Sequence, residues 1–208
     1  MLDILFAFDP AVLTAFVLAG LLLNFTPGAD FVFISASGIS GGARIGMAAA
    51  IGVNLGVIVH VIAAAAGVSA LLIAYPAAYD AIRYAGAAYL LYLAIQMWRS
   101  TDVLGEGRAA PSTRQAIWRG FVTNVLNPKT ALFIFAFIPQ FTDPAIGPVW
   151  QQILILGAIF EINGFLFAMS LGALAGGLAH LLRARARALT KLSAIMFAGL
   201  ALRIALDR

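Results

Sequence analysis

The chain of 208 residues contains no cysteine. That excludes disulfide scaffolds, thiolate metal sites and cysteine nucleophiles, and it leaves the redox compartment open. Histidine is almost missing too: there are two, with no His-x-x-x-His or His-Glu-x-x-His spacing, so no transition-metal site is expected. Charge is equally scarce. Asp, Glu, Lys and Arg make up 11% of the chain, against about 25% in an average soluble domain. Nine acids and thirteen bases cannot cover a soluble surface of this size. The bases form no contiguous tract with interleaved aromatics, so the net charge of +4 does not point to nucleic acid. No glycine-rich phosphate loop and no nucleophile–base arrangement is readable; neither a cofactor nor a catalytic residue is expected.

What the chain has in abundance is apolar side chains, 62% of the total. Apolar stretches of about 18 residues or more read as transmembrane helices, because ~20 residues cross the hydrocarbon core. Six are expected: Pro10–Gly38, interrupted at Asn24–Asp30; Ala43–Ala74; Tyr79–Trp98; Phe121–Phe141, interrupted at Asn124–Lys129; one within Gly147–Leu182; and Leu189–Leu206. The longest polar connection, around Ser100–Thr113, divides the chain into 1–99, a linker 100–119 and 120–208. With Asp3 and Asp9 and no early base, the first span does not read as a cleavable signal.

Lys and Arg in short loops set orientation. Arg44, then Arg99, Arg108, Arg114 and Arg119, then Arg183, Arg185, Arg187 and Lys191 follow the odd-numbered spans, against Arg83 and Arg208 on the other side. The first group belongs in the cytoplasm of an inner-membrane protein, with both termini outside. The cluster Arg183–Lys191 reads as an orientation signal beside anionic lipid.

A repeat is visible. Leu23-Asn24-Phe25-Thr26-Pro27-Gly28-Ala29-Asp30 lies over Asn124-Val125-Leu126-Asn127-Pro128-Lys129-Thr130-Ala131, with an aromatic apolar run after each. Tyr84-Ala85-Gly86 resembles Phe197-Ala198-Gly199 more weakly. Three spans per half is an odd number, so the halves must be inverted, as in many secondary transporters. The expected fold is therefore an all-α integral membrane protein of two inverted three-helix repeats with proline-broken helices.

Pro27 and Pro128 each lack an N–H and clash with the preceding turn. Thr26 and Asn127 precede them as N-caps, with proline favoured at the first helical position. Each block thus spells a stop and a restart, loosened further by Gly28. Backbone groups freed inside a membrane persist only where protein or a wet cavity satisfies them, and a helix N-terminus suits a carboxylate. A plain proline kink in a packed helix is the alternative. Asp30 falls in the first turn of the restarted helix, and Glu161 lies deep in the fifth span. An acid at the bilayer centre costs roughly 2.5–3.5 kcal/mol, offset by a cation, water or protonation. Lys129 stands at the other break, and a contact with Asp30 is expected. Asn54 sits between Gly52 and Gly56, a spacing for close helix approach. Both an interhelical hydrogen bond and cavity lining fit it. Asn163 is a further polar group within a span, and His60 reads as a satisfied core histidine rather than a proton relay.

These residues resemble the LysE/RhtB family of amino-acid exporters. The likeness lies in Asn24-Phe25-Thr26-Pro27-Gly28-Ala29-Asp30, Gly41-Gly42-Ala43-Arg44-Ile45-Gly46 and Gly52-Val53-Asn54-Leu55-Gly56. It resumes in Ala85-Gly86-Ala87-Ala88-Tyr89-Leu90-Leu91-Tyr92-Leu93 and Gly120-Phe121-Val122-Thr123-Asn124-Val125-Leu126-Asn127-Pro128-Lys129. It covers about residues 14–141 and weakens afterward. Ala29 departs from it, since a second proline is usual there. The resemblance implies a six-helix inner-membrane carrier exporting homoserine, threonine or basic amino acids, driven by protons. Asn24, Thr26, Pro27, Gly28, Asp30, Asn54, Asn127, Pro128 and Lys129 are the substrate-binding candidates, and Asp30 and Glu161 the proton-coupling ones. An intramembrane acid–base enzyme using Asp30 and Glu161, or a non-transporting scaffold, are the rival readings. Exposed glycine faces and a small bundle suit a homodimer.

The absence of cysteine makes the orientation testable. Asp3→Cys and Arg208→Cys each introduce a unique thiol, which an impermeant maleimide should label from outside intact spheroplasts, while Arg114→Cys stays shielded. The reverse pattern contradicts the expected topology.

Overall fold

The computed structural model describes residues 1–26, 28–74 and 111–206, with residues 84, 88, 91, 92, 95, 98 and 99. These are helical apart from short connections, and there is no strand among them. Helix α1 spans Leu2–Ala7 and α2 Pro10–Phe25, the latter capped by Asp9, whose carboxylate accepts from Ala11 N at 2.7 Å. Helix α3 is Ala29–Ala74, α4 Thr113–Val125, α5 Pro128–Phe137 and α6 Val149–Leu206. Ser112 and Gln115 form a reciprocal capping box at the start of α4. Two 3₁₀ turns, Ile138–Phe141 and Pro144–Ile146, join α5 to α6. Buried Gln152 fastens them by donating to Asp143 O and Gly147 O.

Helix α3 is two arms meeting at Gly42, where φ is 75° and ψ 180°. Only glycine adopts that backbone freely. The chain reverses there: a Cβ built on Gly38 would lie 3.6 Å from Gly46 Cα, and Phe31 and Ile34 pack with Ala48, Ala49 and Val53.

Helix α6 serves as a ruler for the rest. Gly20 packs on Phe160, Asn24 on Gly164, Phe31 on Phe167 and Gly38 on Ala175. Residue numbers rise together across the break at 26–28, so α2 and the first arm of α3 continue in one direction. The second arm runs the other way, with Gly46 on Gly172 and Val61 on Gly157. Helices α4 and α5 climb along that arm: Gly52 meets Ile117, Gly56 meets Asn124, and His60 meets Phe135. These two helices are bent by 59°. The first break is a kink within a continuing path.

Two helical stretches, Ala29–Gly67 and Val149–Ala175, are long and apolar enough to cross a membrane, and the bent pair Thr113–Val125 with Lys129–Phe141 makes a third. Pro10–Phe25 is a shorter apolar helix. The third expected span falls largely outside the described residues, as do Pro27 and linker residues 101–110. Helical structure runs through residues 183–188, where a loop was expected between the fifth and sixth spans. The alternating Arg-Ala sequence there consists of strong helix formers with no glycine or proline to stop them.

Between helices in lipid, packing rather than the hydrophobic effect drives association. At one end Phe16, Phe133, Phe137 and Phe141 interlock, with Phe133 and Phe137 centroids 4.3 Å apart. Elsewhere the contacts are glycine crossings. A Cβ at Gly52 would run into the Ile117 carbonyl, and one at Gly46 into the backbone of Gly172. These glycines face inward, so they lend no support to a homodimer. Gly52→Val should lower the stability of the detergent-solubilised protein by about 1–3 kcal/mol, the usual penalty of overpacking. Gly67→Ala, with nothing within 4 Å, should not; thermal unfolding of both variants measures the contrast.

Candidate functional site

The two breaks lie against each other. Helix α5 starts as its sequence dictates: Asn127 is the N-cap, Pro128 follows, and the Asn127 side chain accepts from Lys129 N at 3.0 Å. The first break differs from its expected form. Thr26 is the C-cap of α2 and its hydroxyl donates back to Leu22 O at 2.6 Å. The next helix begins at Ala29, its first bond running from Val32 N to Gly28 O. A threonine hydroxyl can serve the turn behind it as readily as the turn ahead. Here it closes the old helix rather than capping the new one.

Each break presents a charge to the other. Asp30, in the first turn after the first break, accepts on Oδ2 from Asn127 Nδ2 at 2.8 Å, Asn124 Nδ2 at 2.9 Å and Thr130 Oγ1 at 3.1 Å. Its carboxylate thus sits on the N-terminal turn of α5. Lys129, in that same turn, reaches back and donates from Nζ to Thr26 O at 3.0 Å and Leu23 O at 3.4 Å. Those are C-terminal carbonyls of α2. An anion at a helix start and a cation at a helix end each gain ~0.3–1 kcal/mol, rising to ~2 when partly buried. The expected direct contact between Asp30 and Lys129 gives way to this exchange of helix ends. Geometry explains it: Lys129 reaches carbonyls at the end of α2, and Asp30 is already held by the side-chain donors of Asn124, Asn127 and Thr130 around the start of α5.

Asn124 and His60 complete the second break. Asn124 is fully buried, and its carbonyl receives both Asn127 N and His60 Nε2, the latter at 3.2 Å. A carbonyl only accepts, so Nε2 carries the proton. His60 therefore satisfies a carbonyl freed by the break, in keeping with a core histidine. The sequence alone does not single out Asn124 or Thr130 as site residues. Asn124 stood in the repeat one turn before the break, which was the available signal.

Beside the crossed breaks is a cavity of about 70 Å³, room for more than one water. Asn24, Thr26, Gly28, Asp30, Asn54 and Lys129 all line it, and so does Glu161. Asn127 and the backbone of Pro128 lie behind, holding Asp30 and starting α5. Asn54 lines the cavity while donating to Ala50 O in its own helix at 2.7 Å, so it makes no interhelical bond through that amide. Asn163 likewise donates to Ile159 O at 2.9 Å within α6. Asn24 Nδ2, Asp30 Oδ1 and Glu161 Oε2 are buried without a hydrogen-bond partner. Apolar walls come from Phe31, Val53, Val57, Phe160 and Phe167.

The family model of the LysE type translocator matches residues 21–208. The chain belongs to the LysE-type translocator family. This translocator is 33% identical over 151 residues to an uncharacterized membrane protein of Vibrio cholerae, covering 72% of this chain and 73% of that one. It is 32% identical over 145 residues to the homoserine/homoserine lactone efflux protein of Salmonella typhimurium, covering 69% and 70%. It is 33% identical over 156 residues to the leucine efflux protein of an Enterobacter strain, covering 73% and 74%. No solved structure matches it. Translocators are transporters, so the LysE-type chain is not an enzyme, and the acid–base reading of Asp30 and Glu161 lapses.

Asn127→Ala removes from the translocator both the α5 cap and one donor to Asp30. Loss of a cap costs about 1 kcal/mol and loss of a hydrogen bond to a charged group about 1.5–3. The variant should unfold at lower temperature than Asn163→Ala, whose amide only serves its own helix; equal midpoints would contradict the crossed-break geometry.

Proposed function

We propose that this translocator exports neutral amino acids from the cytoplasm across the inner membrane, by alternating access around the crossed breaks. The observation that carries the reading is the cavity itself: two acids, a lysine and two amides converge on one small space between interrupted helices. A zwitterion needs both signs, and interrupted helices supply them in a setting where uncompensated charge is costly. The substrate ammonium is drawn to Asp30, and the carboxylate to the donors that line the cavity, Lys129 beside Gly28 and the Asn24 amide. The named substrates of the relatives, homoserine and leucine, are both neutral amino acids, and this chain's aromatic and aliphatic walls suit the same class. At about 70 Å³ the cavity is contracted, so it must widen toward each side in turn. A dry, close-packed pair of breaks would favour a scaffold; the open space beside them favours passage.

Asp30 and Glu161 are the acids for exchange with an inbound proton. One proton entering across ~100 mV releases ~2.3 kcal/mol, above the ~1.4 kcal/mol of a tenfold concentration ratio. The two sequence blocks, taken as inverted halves of three spans each with both termini outside, supply the two states by exchanging conformations.

Proteoliposomes loaded with homoserine, leucine or lysine test this. Wild-type protein should release the neutral substrates, faster with an imposed proton gradient. Asp30→Asn and Lys129→Met should each lower that rate about tenfold or more, because breaking a buried charged contact exceeds ~1.4 kcal/mol. Release unaffected by the gradient would remove proton exchange, and rates retained by both variants would remove the site.

A further inference from the structure

Building on the export reading, we infer that the pocket fixes the orientation of its substrate. The ammonium is held between Asp30 Oδ1 and Glu161 Oε2, and the carboxylate is held by Asn24 Nδ2. Six buried side-chain atoms lack a hydrogen-bond partner among the described residues: Asn24 Nδ2, Asp30 Oδ1, Ser35 Oγ, Asn124 Oδ1, Gln140 Oε1 and Glu161 Oε2. Three of them belong to residues lining the same cavity beside the breaks. Buried polar atoms are almost always satisfied, and a group left open beside a cavity awaits a partner.

The chemistry of the three is complementary to one ligand end. Two are carboxylate oxygens, which accept; the third is an amide nitrogen, which only donates. A lone cation would serve the acids and leave Asn24 idle. A lone anion would do the opposite, and a proton on Glu161 would answer only one of the three. An α-amino acid carries an ammonium donor and carboxylate acceptors on adjacent carbon centres, three bonds from nitrogen to oxygen, and answers them all. Position agrees. Asn24 packs on Gly164, whose missing Cβ would sit 3.5 Å from its amide atoms. Glu161 stands one turn away on the same helix, and Asp30 lines the same cavity.

The sequence repeat explains why Asn24 is open. Each break has an asparagine shortly before its proline, Asn24 three residues ahead and Asn124 four, and Asn124 donates to Asp30. With Pro27 laid over Pro128, the residue that matches Asp30 is Ala131. The second break therefore offers Asn24 no acid in the place that Asp30 takes for Asn124, and its amide is left to the ligand.

Counterflow in proteoliposomes reads this directly, using the best-exported member of homoserine, leucine and lysine as labelled substrate. Its α-keto acid, lacking the ammonium, and its amide, lacking the carboxylate, are the competitors. Wild type should prefer the free amino acid over either analogue by about tenfold or more, the usual effect of a lost hydrogen bond to a charged group. Glu161→Gln should erode discrimination against the keto acid while keeping that against the amide. Asn24→Asp, which sets a carboxylate where the substrate carboxylate would lie, should reverse preference toward the amide, a gain that misfolding cannot imitate. Export with equal competition by both analogues, or variants with unchanged ratios, overturns the inference alone. Export of no panel member overturns the function and the inference with it.

Discussion

The rest of the structure depends on an exchange of helix ends. Two interrupted helices in a membrane leave carbonyls and amides without partners, each costing several kcal/mol if left to lipid. Here Lys129 closes the carbonyl end of α2 and Asp30 is bound at the amide end of α5. Neither charge could be carried at this depth on its own, and neither break could persist without a partner. The two costs offset each other. That reciprocity makes the polar centre of the molecule compatible with a chain that is otherwise so poor in charge.

The exchange works only if the breaks are held at one level. Close glycine crossings provide this: Gly46 against Gly172 fixes the second arm of α3 on α6, and Gly52 against Ile117 fixes α4 on that arm. Rigid crossings at backbone distance leave little freedom to slide, since the contact is main chain on main chain. The interlocked rings of Phe16, Phe133 and Phe137 do the same at the other end. Between these fixed points lies the cavity, bounded by side-chain hydrogen bonds that can be exchanged for others without unfolding a helix.

Much of this was legible in the sequence because it is local. The prolines, the Asn127 cap and the close Gly52–Gly56 face follow from backbone rules acting within a few residues. The family likeness rested on the same blocks. What was not legible depends on direction. Whether Thr26 bonds forward or backward is a choice of rotamer, made by the Leu22 carbonyl. Asp30 and Lys129 were both marked, but their actual partners lie about a hundred residues away in the other break. Asn124 and Thr130 looked like ordinary helix residues until the bend turned them toward Asp30. The continuous helix through 183–188 was hidden because charge suggested a loop where helix propensity favours a helix.

The departures from symmetry are the chemically useful part. A perfectly repeated pair of breaks would carry the same charge twice and repel itself. This chain has an acid after one proline and a lysine after the other, at different places in the turn, so the breaks attract. The same mismatch leaves the two asparagines unequal: Asn124 is bound to Asp30, whereas Asn24 faces the cavity with its amide open. Glu161, from outside either repeated block, faces the same space. A polar pocket with unlike groups on its walls thus arises at two similar sequence blocks because these residues break their likeness. A substrate with distinguishable ends of its own is what such a pocket can bind in a single orientation.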